Sequence, residues 1–112
     1  MSSTVFEKKN GILTVRPDDR LDTATSPVLE REVCERLDGV ENIVMGFTKV
    51  EYISSGGLRA LLSLKKLMEE RGGDLRLLHM NENILEIFEL VGFMEVVTVE
   101  RDGSPSSFET GK

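Results

Sequence analysis

The chain has 112 residues, of which 39% are hydrophobic and 30% charged, and its formal net charge is −6. This length supports one domain with a modest core, and the acidic balance argues against a direct nucleic-acid partner or an anionic membrane surface. No apolar run approaches the roughly 20 residues that span a bilayer, and no apolar signal core follows Met1. Cys34 is the only cysteine, which excludes an internal disulfide and fits a reducing compartment, so we expect a cytoplasmic protein.

Two short extended segments, 4–8 and 12–16, open the chain on either side of Asn10-Gly11. Asparagine and glycine both tolerate positive φ, and this dipeptide between two extended segments is a strong hairpin signal. The pattern predicts that the two segments are antiparallel strands.

The first helix is predicted to begin at Thr25 or Ser26, either of which is a suitable cap, with Pro27 in its first turn. Gly39 is expected to end this helix, and Cys34 is expected to pack beside its apolar stripe. The residues of that stripe recur every four positions: Leu29, Val33 and Leu37.

Asn81 is predicted to cap the third helix, with Glu82 in its first turn and Gly92 as its stop. Its inner face is assigned to Ile84, Ile87, Phe88 and Val91. Further strands are predicted over 42–47, 74–79 and 95–101.

The predicted order is β-β-α-β-α-β-α-β, an α/β fold with a mixed β-sheet and helices packed on it. Strands separated by helices pair in parallel through right-handed crossovers, and the initial hairpin adds one antiparallel pair. We expect one domain over residues 4–101 and a flexible C-terminal tail over 102–112, which is polar and rich in Gly, Ser and Pro.

The most informative stretch is 50–62, where an extended run breaks at Ser54-Ser55-Gly56-Gly57 and the second helix begins. This helix is predicted from about Gly56 to Arg71. A serine at the break is placed to accept a hydrogen bond from the free N–H groups of the first turn, so Ser55 is either a plain helix cap or a switch. The same N–H groups and the helix dipole also favour a phosphate there.

Catalytic and metal-binding patterns find little support. His79 is the only histidine, and with Cys34 it offers no zinc spacing. Ser55 lacks the glycine of a nucleophile elbow two positions earlier, where Ile53 stands. We therefore expect no enzyme, cofactor or metal. A hydrolase that uses Ser55 would need His79 or a carboxylate within hydrogen-bond reach.

The acidic loop that contains Asp18, Asp19 and Asp22 has two interpretations. Three carboxylates in a short segment could bind a cation, whereas a solvated turn is the simpler reading. The sequence favours the turn.

Residues 43–62 resemble the signature of the STAS domain family, in which an aromatic-aliphatic pair precedes D-S-[ST/A]-G-L at the start of a helix. Tyr52-Ile53 stands at the pair, Ser54 at the aspartate, Ser55 at the phosphorylatable serine, Gly56 at the variable small residue and Gly57-Leu58 at G-L. Arg20-Leu21-Asp22 is similar to the family loop before the first helix, and 82–93 to its third helix and exit. The resemblance spans about residues 4–100.

Stand-alone STAS domains act as anti-sigma factor antagonists, so the resemblance implies a phosphoprotein of signal transduction and transcription regulation. Its implied partners are an anti-sigma factor with serine kinase activity, bound in the unphosphorylated state so that a sigma factor is released, and a PP2C-type phosphatase. Phosphorylation is implied at Ser55, with Ser54 as the alternative. The residues assigned to partner binding are Asp22, Thr23, Ser54, Ser55, Gly56, Gly57 and Arg59.

Two positions depart from the family pattern, which often has an aspartate at Ser54 and an acidic or amide residue at Gly46. A second hypothesis therefore stays open, in which the chain is a non-phosphorylated STAS scaffold or ligand-sensing module of another signalling complex.

Overall fold

The computed structural model describes residues 3–100. The strands are β1 (Val5–Lys9), β2 (Ile12–Arg16), β3 (Arg20–Leu21), β4 (Asn42–Gly46), β5 (Tyr52–Ile53), β6 (Leu75–Leu78) and β7 (Thr98–Glu100). The helices are α1 (Ser26–Cys34), α2 (Ser55–Glu70) and α3 (Glu82–Leu90), with a 3-10 turn at Phe93–Glu95. The mixed α/β fold is confirmed. None of the helices in the described range is both long and apolar enough to span a bilayer.

The main sheet has the strand order β1-β2-β4-β6-β7, with β1 antiparallel to β2 and every other neighbouring pair parallel. The predicted hairpin is confirmed, since Asn10 and Gly11 have φ of 54° and 79° between its strands. From β2 onward each crossover moves one strand in the same direction. Because parallel crossovers are right-handed, all three helices lie on one face of the sheet.

The core lies between this face and the helices. Alternate residues of the strands point into it, together with the apolar faces of the helices. Its strand members are Leu13, Val15, Ile43, Met45, Leu75 and Leu77, and its helix members include Leu29, Val33, Leu61, Leu64, Met68, Ile84 and Phe88. The intervening residues, such as Thr14, Val44 and Leu78, lie outside this cluster and form the opposite face, called here the outer face.

A second, two-stranded sheet pairs β3 with β5 in parallel and was not predicted. Its register joins Arg20 to Tyr52 and Leu21 to Ile53. Two residues are too few to establish an alternating pattern, so the sequence carries no signal for this pairing. The small sheet fixes the segment before α1 against the segment before α2.

The predicted C-terminal end of α1 at Gly39 is wrong, because the helix ends at Cys34. Beyond it the Arg36 N–H bonds to the Val33 carbonyl, which tightens the chain into a turn. The Arg71 guanidinium donates to the carbonyls of Leu37 and Val40 at 2.8 and 3.1 Å and so holds the turn that follows the helix. Cys34 is exposed, which corrects its expected place beside the apolar stripe.

The predicted cap of α3 is confirmed, since the Asn81 side chain accepts a hydrogen bond from the Ile84 N–H at 2.9 Å. Val91 was wrongly assigned to the inner face. It follows the last helical residue and is 54% exposed. The next residue, Gly92, has φ of 75° and ends the helical path. The 3-10 turn follows it, so β7 begins at Thr98 and not at the predicted residue 95. The predicted tail and Arg101 lie outside the described residues.

Candidate functional site

The start of α2 is capped by Ser54. Its backbone is extended, and its Oγ accepts a hydrogen bond from the Gly56 N–H at 3.2 Å while its carbonyl accepts one from the Leu58 N–H at 3.0 Å. The helix therefore begins at Ser55, one residue earlier than predicted. The alternative in which Ser55 is a plain helix cap is therefore wrong, because the cap is Ser54.

Ser55 is the first residue of α2 and is exposed. Among the described residues its hydroxyl has no hydrogen-bond partner. An exposed side chain at this position stands beside the free N–H groups of the first helical turn and at the positive end of the helix dipole. The hydroxyl is thus accessible and in surroundings that favour a negative charge.

The two glycines after Ser55 are required by close packing rather than by helix propensity, since each costs about 1 kcal/mol in a helix relative to alanine. A Cβ on Gly57 would stand 2.5 Å from the Leu21 carbonyl oxygen and 2.7 Å from Ile53 Cγ1. A Cβ on Gly56 would stand 3.1 Å from Thr23 Cα. The glycines therefore let the start of α2 approach the loop before α1.

That loop is organised by Asp22. Its Oδ1 accepts hydrogen bonds from the N–H groups of Ala24 and Thr25 at 3.0 and 2.9 Å, and its Oδ2 accepts one from Arg20 Nε at 3.1 Å. The bond from the Thr25 backbone, followed by that from Arg20, holds the pKa of the Asp22 carboxyl below its usual range. Both oxygens are used within the loop, so Asp22 shapes the position of Thr23.

The cation-binding interpretation of this loop gains no support. Asp18 accepts a hydrogen bond from Ser3 at 2.6 Å, and Asp22 is engaged as described. Across residues 3–100 no three His, Cys, Asp or Glu side chains are grouped to hold a metal ion.

The small sheet joins this loop to the start of α2. The Ser54 N–H bonds to the Leu21 carbonyl at 2.9 Å, and the Arg20 guanidinium lies over the Tyr52 ring, 4.5 Å from its centroid. Together these contacts make the capping serine and the loop a single unit.

Arg59 lies four residues after Ser55 on α2, so the two side chains share one face of the helix. It is exposed and has no ion pair with any described residue. Thr23, Ser55, Gly56 and Arg59 thus form one continuous surface, called here the helix-start surface. It brings together most of the predicted site residues, whereas Ser54, Gly57 and Asp22 lie beneath it as structural supports.

A shallow groove of about 160 Å³ runs between α1 and α2 beside this surface. It is lined by Thr23, Ser26, Pro27, Glu30, Gly56, Arg59, Ala60 and Ser63. Five of its members were not predicted as site residues: Ser26, Pro27, Glu30, Ala60 and Ser63. The packing of α1 on α2 creates the groove, and no local pattern in either helix reveals which residues meet there.

The structure places His79 beside Gly46 and not in hydrogen-bond contact with Ser55. The His79 ring lies on the outer face, with its Cδ2 atom 3.9 Å from the position a Cβ on Gly46 would occupy. No described side chain forms a hydrogen bond with the Ser55 hydroxyl, so the general base that a hydrolase would need is not in contact with it. The hydrolase hypothesis has no support from these contacts.

A model of the STAS domain family matches residues 3–103. BtrV of Bordetella bronchiseptica, whose name designates a candidate anti-sigma factor antagonist, is 29% identical over 108 residues, covering 94% of this chain and 93% of BtrV. The anti-sigma F factor antagonist of Paenibacillus polymyxa is 24% identical over 96 residues, covering 84% of this chain and 82% of that protein.

The fold is similar to that of solved structures of the anti-sigma factor antagonist SpoIIAA. The unphosphorylated form gives a TM-score of 0.77 at 15% identity, over 96% of this chain and 92% of that chain. The phosphorylated form, described as the Bacillus cell fate determinant, gives 0.71 at 15% identity over 96% of both chains. At this identity the likeness concerns the fold. With the family model matched over nearly its whole length, the chain belongs to the STAS domain family.

Proposed function

We propose that this protein is an anti-sigma factor antagonist that binds its partner through the helix-start surface and is switched off by phosphorylation of Ser55. The observation that carries the proposal is an exposed serine hydroxyl at the first position of α2 that has no hydrogen-bond partner within residues 3–100. The named functions of BtrV and of the Paenibacillus protein support the same role.

The partner in this proposal is an anti-sigma factor that is also an ATP-dependent serine kinase. It binds the unphosphorylated protein and thereby releases a sigma factor. A PP2C-type phosphatase removes the phosphate and restores binding. The protein itself contacts neither nucleic acid nor membrane, and it acts in the cytoplasm.

A phosphate on Ser55 would add about −1.5 to −2 charges and three acceptor oxygens to a surface that a partner must approach closely. The start of α2 tolerates this charge, because the free N–H groups and the helix dipole favour an anion there. The domain therefore stays folded, and the effect of phosphorylation is confined to the partner interface. SpoIIAA is likewise known as a folded protein in its phosphorylated form.

Ser55 is a better acceptor than Ser54. The Ser54 side chain is half-buried, and its oxygen accepts the capping bond from Gly56. A phosphate on Ser54 would therefore alter the oxygen that caps α2. Modification of Ser55 leaves that oxygen unchanged.

The other residues divide into two roles. Thr23, Gly56 and Arg59 lie on the helix-start surface and contact the partner. Asp22 and Gly57 act through position: Asp22 holds the loop that presents Thr23, and Gly57 admits α2 to within contact of Leu21.

Incubation with the cognate kinase and ATP, followed by site mapping with mass spectrometry, tests the proposal. We expect one phosphate, on Ser55, in the wild type and in Ser54→Ala, and none in Ser55→Ala. A protein that is modified at neither serine would contradict the switch.

The second candidate is a STAS scaffold that is not phosphorylated. It is favoured by Ser54 at the position where the family often has an aspartate, because the carboxylate is then missing from the acceptor site. Partner capture with wild type, Ser55→Ala and Ser55→Asp separates the candidates. Equal capture by all three favours the scaffold, whereas selective loss with Ser55→Asp favours the switch.

A further inference from the structure

We infer that a second site, on the outer face of the sheet, binds a small oxyanion: a phosphate or carboxylate group of a soluble ligand. A cavity of about 260 Å³ opens there, and none of its lining residues belongs to the helix-start surface. It is lined by Glu7, Thr14, Arg16, Val44, Gly46, Thr48, Leu78 and His79. We call it the outer-face cavity.

The cavity lies where three neighbouring parallel strands end. Arg16 is the last residue of β2, Gly46 is the last residue of β4, and His79 directly follows β6. Because β2, β4 and β6 are mutually parallel, their carboxyl ends meet at one edge of the sheet. Side chains from these three strands therefore converge at one edge of the outer face.

Gly46 keeps the cavity open between two cationic or hydrogen-bonding side chains. A Cβ at this position would stand 3.7 Å from Arg16 Cγ and 3.9 Å from His79 Cδ2. Larger side chains would therefore extend into the space between Arg16 and His79. The missing side chain is what leaves room for a ligand.

Arg16 and His79 are both exposed, and within the described part of the chain neither has a hydrogen bond or an ion pair. His79 has φ of 60°, which is unfavourable for a residue with a side chain. Strained backbone of this kind is concentrated at functional sites and persists where the surroundings hold it. Here it places the imidazole beside Gly46 at the rim of the cavity.

The polar groups of the cavity suit an oxyanion. The planar guanidinium of Arg16 matches carboxylate or phosphate oxygens with two parallel hydrogen bonds, and the hydroxyls of Thr14 and Thr48 are further donors. Arg76 lies on the same face, in register with Val44, and adds positive charge. The Glu7 carboxylate, on the β1 side, opposes the anion.

Charge changes at Glu7 and Arg16 should have opposite effects on anion binding, which would not be expected if these residues only supported the fold. Removing the carboxylate charge with Glu7→Gln should tighten anion binding, whereas Arg16→Gln should weaken it. Gly46→Val should block binding although every charge is retained, because its side chain fills the space beside Arg16 and His79. Valine suits a strand, so this variant is expected to fold.

The test is titration of the ¹⁵N-labelled full chain with inorganic phosphate, and separately with acetate, at constant ionic strength kept with NaCl. We expect saturable shifts of the Gly46, Thr48 and His79 amides, with little change at Ser55. The Kd should rise at least about tenfold in Arg16→Gln, a change of about 1.4 kcal/mol. Lys66→Gln, which removes an exposed charge on α2, should bind like the wild type.

Saturable binding of either anion supports the site, and the tighter of the two identifies the group. Shifts that NaCl alone reproduces, shifts that do not saturate, or equal affinities in wild type, Arg16→Gln and Gly46→Val would overturn it. Amide dispersion of each variant reports its folding, and Glu7→Gln carries the test if Gly46→Val does not fold. This result is independent of any phosphorylation at Ser55.

Discussion

Ser54 Oγ accepts a hydrogen bond from the Gly56 N–H at 3.2 Å, and this contact gives two adjacent serines different roles. The first serine satisfies the helix, and the second, Ser55, begins it with an exposed hydroxyl. If Ser55 had been the cap, its oxygen would be engaged with the backbone, and a phosphate would compete with the helix for it. The observed arrangement lets Ser55 be modified without loss of the cap.

The two serines should therefore differ in their effects on stability. Ser54→Ala removes the cap and should lower the free energy of unfolding by about 1 kcal/mol, which is roughly 4–8 °C in Tm for a domain of this size. Ser55→Ala should stay within about 0.5 kcal/mol of the wild type. Ser54→Asp, which can still cap, is the control in thermal denaturation. Equal losses for the two alanine variants would contradict the assignment of the cap.

Gly57 should tolerate no side chain. Gly57→Ala would place a Cβ 2.5 Å from the Leu21 carbonyl oxygen, so α2 or β3 must shift. We expect a loss of about 1–3 kcal/mol in the free energy of unfolding, measured by urea denaturation. Gly46→Ala is the matched control, since its Cβ finds its nearest neighbours at 3.7 and 3.9 Å. The packing account fails if Gly57→Ala is as stable as Gly46→Ala.

Long elements with strong local signals were predictable from the sequence. The hairpin at Asn10-Gly11, the Asn81 cap and the parallel strands follow from turn chemistry, capping and apolar patterning. The C-terminal ends of α1 and α3 were harder to predict. Gly39 and Gly92 both have positive φ, yet α1 ends five residues before Gly39, and the turns that follow it are held by tertiary bonds from Arg71 to the Leu37 and Val40 carbonyls.

The sequence identified the segment that carries the candidate site, but not the residues from other segments that lie beside it. Ser54, Ser55, Gly56 and Gly57 were identified by pattern, but which serine caps depends on a one-residue difference in where α2 begins. The pairing of β3 with β5 and the groove between α1 and α2 depend on contacts between distant segments. Local sequence patterns do not predict contacts between segments that are far apart in the chain.

A buried ionic group links α2 to the far edge of the sheet. Lys65 is 8% exposed and forms a salt bridge with Asp74, and the Thr98 hydroxyl accepts from Lys65 at 3.2 Å and donates to Asp74 at 3.0 Å. Burial acts to raise the pKa of Asp74, but the hydrogen bonds from Lys65, Leu75 and Thr98 prevail and lower it.

A lowered pKa in the folded state means that the Asp74 carboxylate stabilises the protein above its unfolded pKa of about 3.9, and that this contribution is lost as the pH falls through the folded value. Asp74→Asn should therefore lose about 2 kcal/mol at pH 7. The difference from the wild type should shrink below about pH 4. Urea denaturation at a series of pH values measures this, with Lys66→Gln as the surface control. A difference that is independent of pH would contradict it.

Asp22 should affect partner binding without touching the partner. Asp22→Ala removes the acceptor for the N–H groups of Ala24 and Thr25 and should free the loop that carries Thr23. We expect several-fold weaker binding of the anti-sigma partner by calorimetry. Asp22→Asn keeps an oxygen for the two backbone bonds and should bind more nearly like the wild type. Unchanged affinity in Asp22→Ala would contradict a role for this loop in partner binding.

Arg59 should contribute to partner binding directly. It is exposed and without an ion pair among the described residues, so Arg59→Gln should leave Tm nearly unchanged while it weakens the complex. Lys66→Gln, farther along α2, is the matched loss of one positive charge. Parallel calorimetric titrations of both variants measure the effect. Equal affinities for Arg59→Gln and Lys66→Gln would place Arg59 outside the interface.

The most direct test of the central proposal compares the affinity of the anti-sigma partner for two forms of this protein. One carries unmodified Ser55, and the other carries phosphoserine at position 55 installed during translation, so that no kinase is needed. We predict that both forms are folded and that the phosphorylated form binds at least about tenfold more weakly, a loss of about 1.4 kcal/mol. Equal affinity of the two folded forms would contradict the proposal that Ser55 is the switch.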